Sequence, residues 1–214
     1  MTAPAGSALG RIIRRPEPAR AAERCDLCGA DLLSRHRHLL DERGDGVLCT
    51  CQACTLLFER EAAGRGHYRL IPDRRVRLPE FSREDLTALG VPVSLAFFVR
   101  QADGTVMAHY PSPAGATRWE VDPDAWKTIE RRFPPLRELE PGVRALLVNT
   151  ARGAREHWLV PIDDCFRLVA LIGREWRGLS GGGTVWPAVE QFFTDLSARR
   201  KPAGVGGTER SGDG

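Results

Sequence analysis

Lysine is almost missing from this chain: of 31 basic residues only Lys127 and Lys201 are lysines, so arginine is the default cation and a lone arginine carries little weight. A dense positive surface is missing as well. The formal net charge of 214 residues is only +3, well short of the charge concentration of a dedicated DNA or RNA reader, so composition disfavours nucleic acid as the partner. Long apolar runs are also lacking. Leu9-Gly10-Arg11-Ile12-Ile13 is broken by charge, which leaves no secretory core segment, and no later stretch reaches the roughly 18 apolar residues of a membrane helix. These absences lead to the expectation of a cytoplasmic protein with no membrane partner, in a compartment that keeps thiols reduced.

Against that background the cysteines stand out. Five of the six lie between Cys25 and Cys54, and in a reducing compartment clustered pairs indicate metal ligands or redox thiols before disulfides. Cys25-Asp-Leu-Cys28-Gly and Cys51-Gln-Ala-Cys54 are two Cys-x-x-Cys turns joined by a strand-rich loop. Each turn aims two sulfurs at one point, which a tetrahedral four-thiolate site requires. Gly29 supplies the positive φ that the first turn needs, whereas Thr55 stands where the second turn would have its glycine. Five thiols compete for four positions. Cys49 and Cys51 would share one side of a strand, but only Cys51 has the two-residue spacing to Cys54, so the expected metal ligands are Cys25, Cys28, Cys51 and Cys54. Cys49 is left as a buried small hydrophobe or a resolving thiol. His36, His38 and His67 are substitute donors, although His36-Arg37-His38 also fits a solvated strand face.

The rest of the chain suggests an α+β protein. Residues 1–23 and 201–214 lack apolar periodicity and are expected to be disordered. Residues 24–72 form a zinc-ribbon-like metal module, with 39–40 and 47–48 paired across a Gly44-Asp45-Gly46 turn and β-favouring residues from 47 to 58. A module this small depends on its metal for its fold. Residues 73–200 form a mainly antiparallel sheet with two or three helices over one face. Strands are expected at 93–99, 106–110, 145–148, 156–160 and 165–172, the last two closed by a hairpin loop at 161–164. Residues 111–116 are expected as a loop. Helices are expected after Ser82, which can cap, and after Asp122-Pro123, and over 184–200, where Val185, Val189, Phe192, Phe193 and Leu196 form one stripe.

Chemistry in the larger half is thin, and no catalytic residue is assigned. His157 and Cys165 suggest a base and a nucleophile, yet the expected hairpin register puts them on opposite faces of the sheet. Asp163-Asp164 fits a turn. Gly178-Leu-Ser-Gly-Gly-Gly-Thr184 precedes a helix but lacks the Gly-x4-Gly-Lys-Ser/Thr pattern and any nearby lysine, so it is a flexible loop rather than a phosphate cradle.

The cysteine module with His36-Arg-His-Leu-Leu40, together with Tyr110-Pro-Ser-Pro-Ala-Gly-Ala-Thr117, Ala154-Arg-Glu-His-Trp-Leu-Val-Pro161 and Trp176-Arg-Gly-Leu-Ser-Gly-Gly182, resembles an uncharacterised actinobacterial family whose genes tend to lie beside those of nickel–iron hydrogenases. The resemblance implies a genomic neighbourhood and not a reaction; the first reading drawn from it is a zinc-binding accessory protein of hydrogenase assembly or maturation, with a hydrogenase subunit or assembly protein as partner. It also brings in a rubredoxin-like electron carrier, with iron at the same four cysteines. The chain departs from rubredoxins in having Cys51-Gln-Ala-Cys54-Thr55 in place of a Cys-Pro-x-Cys-Gly turn and in carrying Cys49, and both departures favour zinc. A zinc-ribbon nucleic-acid regulator is the third reading, disfavoured by the modest charge.

Overall fold

The computed structural model describes residues 23–44, 46–59, 67–90, 94–112, 115–177 and 183–200. Both expected terminal tails lie outside these residues, apart from Glu23, as do Asp45 of the glycine turn and most of the glycine-rich segment at 178–182.

The first unit is a three-stranded antiparallel ribbon in the order β2-β1-β3, with β1 at Arg37–Asp41, β2 at Gly46–Thr50 and β3 at Tyr68–Leu70. Leu39 faces Leu48 and Leu40 faces Val47, the pairing that the apolar dipeptides suggested. The β-favouring character of 47–58 does not carry through. The strand stops at Thr50, and Gln52–Leu57 turns into a short helix, α1, with Cys51 as its cap. An extended Cys51 whose sulfur accepts the Cys54 N–H at 3.4 Å starts that helix locally, and local capping overrides strand propensity here.

The second unit is a six-stranded sheet in the order β4-β9-β8-β5-β6-β7, with every neighbouring pair antiparallel. Its strands are β4 (Val76–Arg77), β5 (Leu95–Arg100), β6 (Val106–Ser112), β7 (Gly115–Glu120), β8 (Arg144–Asn149) and β9 (Glu156–Pro161). The helices are α2 (Arg83–Ala88), α3 (Pro123–Arg132), α4 (Ile162–Glu175) and α5 (Val185–Ala198). Together the two units make an α+β molecule. No described helix is long and apolar enough to cross a membrane.

Helices cover both faces of the large sheet, not one. The central strands are apolar at consecutive positions, so both of their faces must be removed from water. Phe97, Val99, Leu147, Trp158 and Val160 point into a core closed by α4 and α5. Phe98, Ala108, Leu146, Val148 and Leu159 point the other way, towards α2, α3 and the turn carrying Leu136 and Leu139. Ser82 caps α2 in a reciprocal capping box with Asp85. Asp122 caps α3, with Pro123 at its first position.

Two further expectations are corrected. The hairpin over 156–172 is a strand followed by a helix: β9 ends at Pro161 and α4 begins at once. Cys165, Leu168, Val169 and Ile172 recur at helical spacing and all enter one core, and Asp163 and Asp164 occupy the first turn, where the helix dipole favours acids. Residues 111–112 and 115–116 are strand and not loop, and residues 113–114 lie outside the described residues. β6 continues through Pro111-Ser112 and pairs with β7, Ser112 opposite Gly115, whose φ of 121° only glycine adopts without strain.

The ribbon is seated on the large sheet. Leu40 and Val47 pack against the core under α4, and Ile71 enters it. Arg37 Nη2 donates to the Ile71 carbonyl at 3.0 Å, and Arg69 Nη1 donates to the Pro141 carbonyl at 2.7 Å. Gly142, at φ +71°, leaves room for Leu40, whose Cδ2 would lie 2.9 Å from any added Cβ.

Candidate metal centre

The first cysteine turn folds on its own backbone. Cys25 N–H donates to the Ala30 carbonyl and Gly29 N–H to the Cys25 carbonyl, both at 2.8 Å, and Gly29 has φ 74°. Asp26 then fastens the turn to β2. Its N–H donates to the Cys49 carbonyl at 2.9 Å, and its Oδ2 accepts the Cys49 N–H at 2.7 Å. The second turn is the start of α1. Thr55 N–H and Thr55 Oγ1 both donate to the Cys51 carbonyl, and the Thr55 hydroxyl meets that of buried Thr50 at 3.1 Å. Thr55, in the place of a glycine, thus braces the turn through its side chain.

These two turns bring the sulfurs of Cys25, Cys28, Cys51 and Cys54 within 4.8 Å of one another. Cys25 and Cys54 lie on the buried side of the cluster, and Cys28 is exposed. The Cys28 and Cys51 sulfurs are 3.7 Å apart. A tetrahedron with metal–sulfur bonds of about 2.3 Å has an edge of about 3.8 Å, so the spacing suits a four-thiolate ion. The protonation balance points the same way. Burial raises the Cys25 thiol, but the backbone of Cys51, Cys28 and Leu27 outweighs it and brings the pKa down to about 6. Burial and the neighbouring thiols push Cys54 up to about 12. Sulfurs this close resist joint ionisation unless a cation sits between them. The cluster is compatible with metal binding.

Cys49 belongs to a different group. Its sulfur lies within 4.8 Å of donor atoms of His36 and His38. Part of this was within reach of the sequence: His38 and Cys49 face each other across β1 and β2, and His36 lies just before β1, two residues from His38. What hid it was weighing His36 and His38 as substitutes at the four-cysteine site and Cys49 as a spare thiol. His67 joins neither group; its carbonyl accepts the Glu42 N–H.

In the larger unit the suggested dyad does not form. Cys165 is fully buried in α4 within one core, and burial together with Asp164 and Asp163 raises its thiol well above the ordinary value. His157 lies on the opposite face of the sheet, stacked on Phe81 at 5.1 Å. Asp163 and Asp164 are in the helix start described above, and both are engaged: Asp163 Oδ2 is 3.0 Å from His38 Nδ1, and Asp164 accepts from Arg75 at 2.6 Å.

No curated protein and no solved structure matches the chain. Residues 24–200, ribbon and large sheet together, match the Family of unknown function (DUF5947), and the chain belongs to that family.

Proposed function

We propose that the protein is a cytoplasmic zinc-binding accessory protein of nickel–iron hydrogenase assembly or maturation, acting by docking to a hydrogenase subunit or to another assembly protein. The observation that carries the metal half is the four-sulfur cluster, with Cys28 and Cys51 at a tetrahedral spacing. Zinc is favoured over iron by the second turn, which is the cap of a helix braced by Thr55 and not a glycine-closed turn. Zinc in such a site is structural: four thiolates fill its coordination and leave no open position.

Docking is supported by where apolar surface remains. Among the described residues the exposed large hydrophobics are Leu27, Leu33, Leu56, Leu57 and Trp119. Four of these five belong to the small ribbon unit, Leu27 inside the first cysteine turn and Leu56 and Leu57 at the end of α1. Apolar side chains gathered on a small metal-clasped unit suit a protein partner. The hydrogenase assignment rests on the sequence resemblance, and the DUF5947 match leaves the reaction and partner open.

Purification without oxygen, followed by metal analysis and a visible spectrum, tests the metal. Colourless protein whose zinc content falls by one equivalent in Cys51→Ser supports the proposal. Iron with a reversible visible band, lost in the same variant, would replace it with electron transfer. Co-expression with nickel–iron hydrogenase subunits tests the partner: a stoichiometric complex weakened by a Leu56→Asp/Leu57→Asp double variant is expected, and no complex with any of them overturns the hydrogenase role.

A further inference from the structure

We propose that His36, His38 and Cys49 form a second metal site, distinct from the four-cysteine cluster, that takes a divalent late first-row transition ion and leaves one coordination position open. Two of the donors come from the β1–β2 hairpin and the third from the residue just before it. His38 and Cys49 are directly opposed across β1 and β2, His36 immediately precedes β1, and donor atoms of all three lie within 4.8 Å of each other. Strand register holds His38 against Cys49, and the Leu33 carbonyl, 3.0 Å from His36 Nδ1, holds His36 beside them.

The outer contacts are those of ligating histidines. A metal-bound imidazole gives its second ring N–H to a carbonyl or a carboxylate, which fixes its orientation and tautomer. His36 Nδ1 is 3.0 Å from the Leu33 carbonyl, and His38 Nδ1 is 3.0 Å from Asp163 Oδ2. Both Nε2 atoms are thereby left as the donors. His36 Nε2 is buried and has no hydrogen-bond partner among the described residues, on a side chain only 10% exposed. A self-contained polar cluster would satisfy that nitrogen, whereas an ion between the three donors satisfies it together with His38 and Cys49. Asp163 is only 12% exposed and is itself held by Arg167 at 3.2 Å, so the carboxylate behind His38 is fixed by the large sheet's own helix α4.

Two imidazoles and a thiolate suit zinc, cobalt, nickel or copper, and exclude magnesium and calcium, which take oxygen ligands. On binding, the Cys49 thiol releases its proton to solvent. Three protein donors leave a fourth position for water or another small ligand, unlike the closed four-thiolate cluster. The site stands at the seam between ribbon and large sheet, with ligands from one and a supporting carboxylate from the other.

The full chain, stripped with chelator under reducing conditions and titrated with Co2+, tests this. Two equivalents are expected, one lost in Cys49→Ala and in His36→Ala and the other lost in Cys51→Ser. A single equivalent that survives Cys51→Ser and disappears in Cys49→Ala would sustain this site while removing the four-cysteine one. Cobalt stoichiometry unchanged in both Cys49→Ala and His36→Ala overturns it. Should those variants fail to fold, cadmium NMR of the wild-type chain decides: a signal from mixed nitrogen and sulfur ligation is expected, and its absence overturns the site.

Discussion

Asp26 and Cys49 hold each other in both directions, the Asp26 N–H on the Cys49 carbonyl at 2.9 Å and the Cys49 N–H on Asp26 Oδ2 at 2.7 Å. One residue thereby fixes the first cysteine turn to the strand that leads into the second. Cys49 is also a donor of the histidine group, so the same pair of bonds spans both candidate metal sites.

Removing the Asp26 carboxylate leaves all four sulfurs and the Asp26 N–H bond in place but takes away the half of the clamp that holds the Cys49 N–H. Asp26→Ala is expected to weaken metal retention at the four-cysteine cluster by about 10–100-fold, the usual penalty for losing an outer contact of a metal site. Asp26→Asn keeps an acceptor for the Cys49 N–H and should lose less. Competition with a chromophoric chelator measures both, and an Asp26→Ala affinity equal to wild type would show that the carboxylate does not position the turn.

Metal removal should act on the two units unequally. In the ribbon strands only Leu39 is a fully buried apolar side chain, whereas the large sheet has a continuous core on each face. The ribbon is also supported by its seat against the large sheet, through Leu40, Val47 and Ile71 and through the polar contacts of Arg69 and His38. Cys51→Ser, or chelation of the wild type, is therefore expected to abolish hydrogen-exchange protection across β1 and β2 while β5 and β8 stay protected. Loss of protection in all four strands together would mean that the two units unfold as one.

Local signals written in short motifs were legible in the sequence. The Leu39-Leu40 and Val47-Leu48 pairing, the Ser82 cap, the Asp122-Pro123 helix start and the stripe on α5 needed only neighbouring residues to specify them. Cys25, Cys28, Cys51 and Cys54 came together because spacing alone separates Cys51 from Cys49. Elements whose form depends on distant partners were less legible. Residues 165–172 are apolar enough to suit a strand, and it is the packing of Cys165, Leu168, Val169 and Ile172 into one core that shows the helical period. Helices were expected over one sheet face only, whereas the unbroken apolar central strands bury both faces, and which helix covers which is set by topology. Asp163, placed in a turn by its neighbours' composition, supports His38 from more than a hundred residues away in the chain.

Asp164 ties three elements together. Its side chain is fully buried, and it accepts from Arg75 Nε at 2.6 Å while Arg167 Nη1 and Arg199 Nη1 approach at 3.3 and 3.4 Å. Arg75 is itself only 11% exposed, so truncating the acid strands a guanidinium away from water. Asp164→Ala is expected to destabilise the protein by about 3–5 kcal/mol, the range for breaking one partner out of a buried ion pair. Asp85→Asn, which changes a carboxylate whose partner Arg132 is half exposed, should lose much less. Denaturant unfolding monitored by tryptophan fluorescence compares them, and equal losses would mean that burial of the stranded arginine is not the deciding factor.

His109 supplies a pH dependence. Its ring lies flat on Phe97, with centroids 4.8 Å apart and planes within 4°, and its Nδ1 is buried without a hydrogen-bond partner among the described residues. Burial, with the Arg118 charge adding to it, holds the pKa down to about 4 from the ordinary 6.5. A depressed histidine pKa means that the unfolded chain binds the proton more readily, so its contribution is intact above pH 6.5 and is lost as pH falls towards 4. The pKa difference corresponds to about 3 kcal/mol at full protonation of the unfolded state. His109→Phe preserves the stack on Phe97 and removes the titration. Its stability should match wild type to within about 1 kcal/mol at pH 7, as expected for a swap of similar shape, and exceed it increasingly below pH 6. Parallel stability curves for the two proteins between pH 7 and 4.5, measured by urea unfolding, would place the acid sensitivity elsewhere, and His157, also held neutral chiefly by burial, is then the residue to replace.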